Sequence, residues 1–173
     1  TDWNPSGNIT SVKVFEDGEW LTNKKLIYYD NDQIKVEENF KDNKLNGYWA
    51  KWHKNGQIYW TGNYKDGKRI GKFTEWDQNG QIDEERVFKD GLKDGKWSKW
   101  HDNGLLAYEH YYKEDADVKR TDWNPSGNIT SVKVFEDGEL ITNKEYSYYN
   151  DGQVFYTANY KNGKLDGNLI FWN

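Results

Sequence analysis

One block of nineteen residues occurs twice in the chain. TDWNPSGNITSVKVFEDGE stands unchanged at 1–19 and at 121–139. Looser similarity continues on both sides at the same 120-residue offset, so that Trp52 corresponds to Trp172. A shorter period lies inside the long one. Aromatic residues recur at Trp3, Tyr29, Trp52, Trp76, Trp100, Trp123, Tyr149 and Trp172, in steps of 23 to 26 residues. A repeat of this size is one supersecondary unit that stacks on its neighbours, so the chain is constrained to be an array.

The unit from Trp52 to Trp76 shows what is repeated. Asn55-Gly56 near its start and Asp66-Gly67 in its middle are turn dipeptides that tolerate positive φ. Asn79-Gly80, Asp90-Gly91 and Asn103-Gly104 recur at the same places in the following units. Between the turns the alternation has period two, as in Ile58, Trp60, Gly62 and Tyr64, or Val154, Tyr156, Ala158 and Tyr160. No stretch keeps a helical period. These signals predict an all-β chain: a single array over 1–173 of about seven successive β-hairpins, joined as an elongated, twisted, open antiparallel sheet. A lone hairpin is marginal in water, so neighbours must bury one another. Only 35% of residues are hydrophobic, yet 10 Trp, 13 Tyr and 7 Phe supply a thin aromatic core.

The totals exclude several function classes. A formal net charge of -5 opposes binding to nucleic acid and disfavours anionic lipid. There is no Cys, which removes thiol catalysis and thiolate metal sites. No apolar run is long enough to cross a membrane as a helix. The chain also lacks Met. The expectation is a piece of a longer repeat protein, with any targeting segment upstream and a secreted or cell-surface location open to it.

Chemistry-bearing residues do not converge. His53 and His101 follow equivalent aromatics but stand about 19 Å apart at about 4.8 Å per strand, too far to share a metal. Half-exposed, non-ligating histidines are therefore expected. Asp83-Glu84-Glu85 reads as a solvated face, and no phosphate-loop, nucleophile-elbow or zinc-protease motif occurs. Neither a catalytic residue nor a metal or cofactor is expected. Lys65, Lys68, Arg69 and Lys72 form a basic cluster suited to an anionic headgroup, worth about 1 kcal/mol per charge. Asn8-Ile9-Thr10 and Asn128-Ile129-Thr130 match the glycosylation pattern as one motif counted twice.

The phrase Y-K-x-G-K-x-x-G, as in Tyr64–Gly71 and Tyr160–Gly167, followed by W-x-x-W-x-x-N-G-x-I, resembles the MORN repeat in its bacterial variant form. The resemblance covers essentially the whole chain. It implies elongated sheets of hairpins, no catalytic residues, and roles in protein interaction, scaffolding and sometimes membrane association; some variant-repeat proteins are antitoxin-like. Two places depart from the pattern. The units starting at Trp3 and Trp123 lack the second glycine. Residues 114–120 lack both, and are expected to form an irregular, loose seam.

Comparison among the units suggests a site. The first strand position stays apolar (Ile9, Ile34, Ile58, Ile82, Leu106, Ile129, Val154), as does the last (Phe15, Phe40, Tyr64, Phe88, Tyr112, Phe135, Tyr160). The two inward positions between them vary from unit to unit. They include Trp60, Glu84, Arg86, Tyr108, His110 and Tyr156, expected to line a ligand surface with the aromatics as anchors. The competing reading makes this row the uneven middle of a shallow core. Glu84 and Arg86 are costly to bury without partners, which favours exposure.

The expected function is a non-enzymatic protein-interaction scaffold, with an antitoxin or immunity role inside that class. A second reading is a glycan or cell-wall binding array, since wall-binding repeats are also short Trp/Tyr/Gly-rich hairpins. Membrane-surface attachment is a third. End-to-end self-association through edge strands is a further expectation. Trp60→Ser with Tyr108→Ser separates the two readings of the row. Ligand binding lost at unchanged melting temperature makes it a surface, whereas collapse of the fold makes it core.

Overall fold

In the computed structural model the described residues are 1–16, 19–167 and 169–172, without the side chains of 15–21. Phe15, expected among the inward strand ends, lies outside the described side chains. Sixteen strands follow one another with no helix among the described residues. They are β1 (Asp2–Trp3), β2 (Ile9–Glu16), β3 (Glu19–Tyr28), β4 (Ile34–Lys41), β5 (Lys44–Trp52), β6 (Ile58–Lys65), β7 (Lys68–Trp76) and β8 (Ile82–Lys89). The rest are β9 (Leu92–Trp100), β10 (Leu106–Lys113), β11 (Ala116–Trp123), β12 (Ile129–Glu136), β13 (Glu139–Tyr148), β14 (Val154–Lys161), β15 (Lys164–Leu165) and β16 (Ile170–Phe171). Hydrogen-bonded order follows chain order from β1 to β15, and β16 pairs with β14. The sheet is antiparallel and open. Two compact units divide the chain: residues 1–82 with 87–92, and residues 83–86 with 93–173.

Two kinds of turn alternate. At one hairpin end the turns have two central residues, both with positive φ: Asp66 at 51° and Gly67 at 82°, Asp90 at 52° and Gly91 at 92°. This is the turn whose twist matches paired strands, and it explains the Asp-Gly spelling. Residues 114–120 take the same form without glycine. Glu114 and Asp115 adopt 49° and 70°, and β11 then pairs with both β10 and β12. The seam expected to be irregular is therefore a regular turn and strand. Asp115 compensates for the missing glycine: its N–H donates to the Lys93 carbonyl at 2.9 Å, and its carboxylate accepts from the Lys93 N–H at 2.8 Å.

The longer turns carry the Asn-Gly pairs. In each, the residue after the strand-end aromatic closes the turn onto itself, as His53 does with Gln57 and Gly56. That pattern corrects the aromatic register. Tyr28 faces Ile34 as Trp52 faces Ile58, and Tyr148 faces Val154. Tyr28 and Tyr148 are thus the true equivalents of the tryptophans. Tyr29 and Tyr149 instead occupy the His53 position. Their hydroxyls donate to the carbonyls of Trp52 and Trp172 at 2.7 Å. His53 and His101 do likewise through Nε2 to the carbonyls of Trp76 and Trp123, at 2.9 and 3.1 Å. These four side chains each tie one hairpin repeat to the next within its compact unit.

A bulge shifts the register beside six of the longer turns, as between Lys51 and Trp52 opposite Trp60 and Ile58. The first apolar position therefore faces away from the inward row. Ile58 and Ile82 are exposed rather than inward, which corrects the sequence expectation.

Each unit packs one face of its sheet. In the first unit that aromatic face carries Trp49, Tyr64, Phe73 and Phe88. Phe73 is 1% exposed, with its ring edge-on to Tyr64 at 5.4 Å and to Phe88 at 5.3 Å. Gly62 makes room for it: a methyl group there would meet the Phe73 ring at 2.2 Å. The unit thus replaces its own missing side chain with one from the adjoining strand. Gly62→Ala is expected to cost about 1 to 3 kcal/mol by overpacking, measured by urea denaturation. Phe73→Leu in the same chain should recover part of the loss; equal stability of wild type and Gly62→Ala would refute this packing.

Candidate functional site

The variable row from the sequence lies on the aromatic faces. Trp60 is half-buried in the first unit, opposite Lys51 and Glu75. Glu84, Arg86, Tyr108, His110 and Tyr156 belong to the second. Glu84 is 5% exposed, so the expectation of an exposed carboxylate is overturned. Its partners explain why burial is tolerated. Arg86, two residues along the same face, donates a short hydrogen bond to it, and the Tyr108 hydroxyl donates at 2.6 Å.

The charge state follows from this network. Burial alone would push the Glu84 carboxyl up, but the hydrogen bonds from Arg86 and Tyr108 outweigh it and hold the group below its usual range. Burial and the Glu84 carboxylate push the Tyr108 phenol far up, so it remains a donor. The Arg86 guanidinium also lies over the Trp97 ring at 5.5 Å. Lys93 lies over Trp97 and Tyr112 at 4.8 and 4.7 Å.

A second cluster adjoins the first. The His110 ring stacks on Tyr108 at 4.4 Å, and its Nε2 donates to Asp122 at 3.1 Å. The Ser131 hydroxyl donates to the other Asp122 oxygen at 2.6 Å. Hydrogen bonding from His110 is the main influence lowering the Asp122 carboxyl, with burial opposing it. Sequence reasoning missed Asp122 and Ser131, although the duplicated pair Asp2 and Ser11 forms the same hydrogen bond in the first unit. Tyr156 lies further along, in ring contact with Phe155 and Phe171, each at 5.8 Å.

The basic cluster is divided between faces. Lys65 pairs with Lys68 beside their turn. By alternation these two and Lys72 share the face away from the aromatic layer. Arg69 is on the other face, its guanidinium over Phe73 and Phe88 at 5.5 and 5.1 Å. One headgroup cannot be held by all four.

Among the described residues, no group of three or more His, Asp and Glu is arranged to hold a metal ion. The depressions are shallow and open, such as one lined by Val12, Val14, Thr22, Phe40, Gly47 and Tyr48. No helix of the described residues is long and apolar enough to cross a membrane.

The Glu84 network predicts a pH dependence. A carboxyl held below its unfolded value contributes stability above that value, and the contribution is lost as pH falls through the folded one. Glu84→Gln removes the carboxylate that half-buried Arg86 pairs with and should cost about 1 to 3 kcal/mol at neutral pH. It should also flatten the acid limb of stability against pH. Glu84→Leu with Arg86→Met should be tolerated better than Glu84→Gln alone, in urea denaturation across pH. Equal stability of wild type and Glu84→Gln at neutral pH would contradict the network.

A search of curated proteins gave no match. A family profile described as MORN repeat variant matches residues 21–42, 69–90, 93–114 and 141–162. Each matched stretch spans a longer turn and its two strands, and ends at a two-residue turn. The unmatched 45–66 and 117–138 fall between them in the same hairpin register. Such repeats are generally protein- and membrane-interaction modules and generally not enzymes. The matches cover more than half of the chain, which belongs to the MORN repeat variant family.

Proposed function

We propose that the chain is a non-enzymatic protein-interaction module that binds its partner through the face opposite the aromatic layer. The observation that carries this reading is the division of labour between the faces. On the aromatic face, Glu84, Arg86, Tyr108 and His110 engage one another or a neighbouring strand. On the opposite face, large apolar side chains remain in solvent: Tyr48 is 40% exposed in the first unit, and Tyr111 and Val134 are 37% and 41% exposed in the second. Each stands in a ladder of short, paired strands that fixes its position. Rigid, partly exposed aromatic and branched side chains are what a protein interface uses as anchors.

The aromatic rings lend less support to the glycan reading. A ring that stacks on a sugar or a quaternary ammonium needs a free face. Here Trp97 and Tyr112 carry the chain's own Arg86 and Lys93, and Tyr59 carries Lys51 at 5.0 Å.

The test is retention by the immobilised full chain of protein, wall polysaccharide and anionic vesicles from its source. Protein should be retained, and Tyr48→Ser with Val134→Ser should weaken retention several-fold without moving the melting temperature, because both side chains are exposed. Retention of polysaccharide or vesicles in place of protein, or retention unaffected by this double variant, would overturn the proposal.

A further inference from the structure

The 120-residue duplication provides an internal comparison of charge. In the first unit, on the face away from the aromatic layer, Lys24 on β3 pairs with Glu37 on β4 at 2.8 Å. The equivalent positions in the second unit are Lys144 and Thr157. Strand pairing is conserved: Leu26 faces Glu37 as Tyr146 faces Thr157, and Lys24 faces Asn39 as Lys144 faces Asn159. The counter-charge has been replaced by a buried threonine, while the lysine and its register remain.

The surroundings accentuate the change. Two ladder rows cross β11 to β14 on this face. One reads Lys119, Val134, Thr142 and Lys161; the other reads Thr121, Val132, Lys144 and Asn159. These eight positions hold three lysines and no carboxylate. Lys119, Lys144 and Lys161 are all exposed. The nearest acids are Glu109 on the neighbouring strand, paired with Lys96 at 3.1 Å, and Glu136 and Glu139 at the turn end. Exposed Val134 sits between lysines on both sides of its row. The net charge of -5 conceals this patch, because much of the acid lies in the turns.

We propose that the β11–β14 face of the second unit docks an acidic polypeptide segment that also carries apolar side chains. This rests on the protein-interaction reading and names the partner's chemistry. Carboxylates of the partner would meet Lys119, Lys144 and Lys161, and an apolar side chain would cover Val134. Charge complementarity selects the partner and speeds encounter, while the apolar contact supplies holding energy. Lys144 lies over the Tyr146 ring of the same face at 5.0 Å, and the mixture of lysines with exposed valine, on a chain of net charge -5, favours an acidic polypeptide over a nucleic acid. The corresponding face of the first unit is self-neutralised by Glu37.

The test uses the full chain and a fluorescent random copolymer of glutamate and tyrosine, with phosphatidylserine vesicles and a single-stranded oligonucleotide in parallel. The copolymer should bind at low ionic strength and be released by about 0.5 M salt, where screening is short-ranged. Thr157→Glu restores the missing counter-charge beside Lys144 and should weaken binding about threefold or more. Lys119→Glu with Lys161→Glu should weaken it about tenfold or more. Glu37→Thr should strengthen binding by exposing the same chemistry in the first unit. All these positions are exposed or replaced by the residue of the duplicate, and unchanged far-UV spectra will confirm that folding is intact. Copolymer affinity indifferent to Thr157→Glu and to the lysine pair would overturn the proposal. So would binding of vesicles or oligonucleotide, but not copolymer, through these lysines. A neutral or basic protein retained by the chain, with no copolymer binding, would remove this inference while leaving the interaction-module reading intact.

Discussion

A row of hairpins has only its neighbours to pack against. Every side chain on the aromatic face must therefore be completed by the strands beside it, and the rest of the architecture depends on this. Where one strand is empty at Gly62, Phe73 from the next fills the space. Where one strand brings a carboxylate at Glu84, Arg86 and Tyr108 bring the donors. The turns obey the same rule, since His53, His101, Tyr29 and Tyr149 each close a hydrogen bond on the following unit. Units can differ in sequence where the difference is answered by a neighbour on the same or the adjoining strand.

This explains how far the sequence could be read. Turn dipeptides and period-two alternation exposed the hairpins and their number, because those signals are local. The position of the strand-end aromatic was misjudged by one residue at Tyr28 and Tyr148, since two adjacent tyrosines hide which one ends the strand. The bulge beside the longer turns leaves no mark in the residue pattern, and it carries Ile58 to the exposed side. The regularity of 114–120 was obscured because Glu114-Asp115 forms without glycine a turn that Asp-Gly forms elsewhere.

The candidate site was harder to read for a different reason. In the sequence, variation between units reads as a mark of ligand contact, and spacing alone does not reveal the hydrogen-bond partners that also accompany it. On the aromatic face Lys25 meets Glu38 at 3.9 Å in the first unit; in the duplicate Glu145 stands opposite Ala158 and its carboxylate accepts from the Asn143 amide at 2.8 Å instead. One residue's cost of burial depends on a partner that sequence spacing does not reveal. The opposite face lacks this mutual compensation at Lys144, and there the loss of Glu37's equivalent leaves charge available to another molecule. On the proposed reading, function rests on what one unit leaves without a counter-charge, more than on any concentrated reactive group.

The most direct test of the account is a double-mutant cycle on the buried row, using Glu84→Gln and Tyr108→Phe with stability measured by urea denaturation at neutral pH. If the variable row is a packed network, the two substitutions will be coupled by about 1 kcal/mol or more. Additive effects near zero would mean that these residues do not hold one another, and would return the row to the solvent as a surface for a ligand.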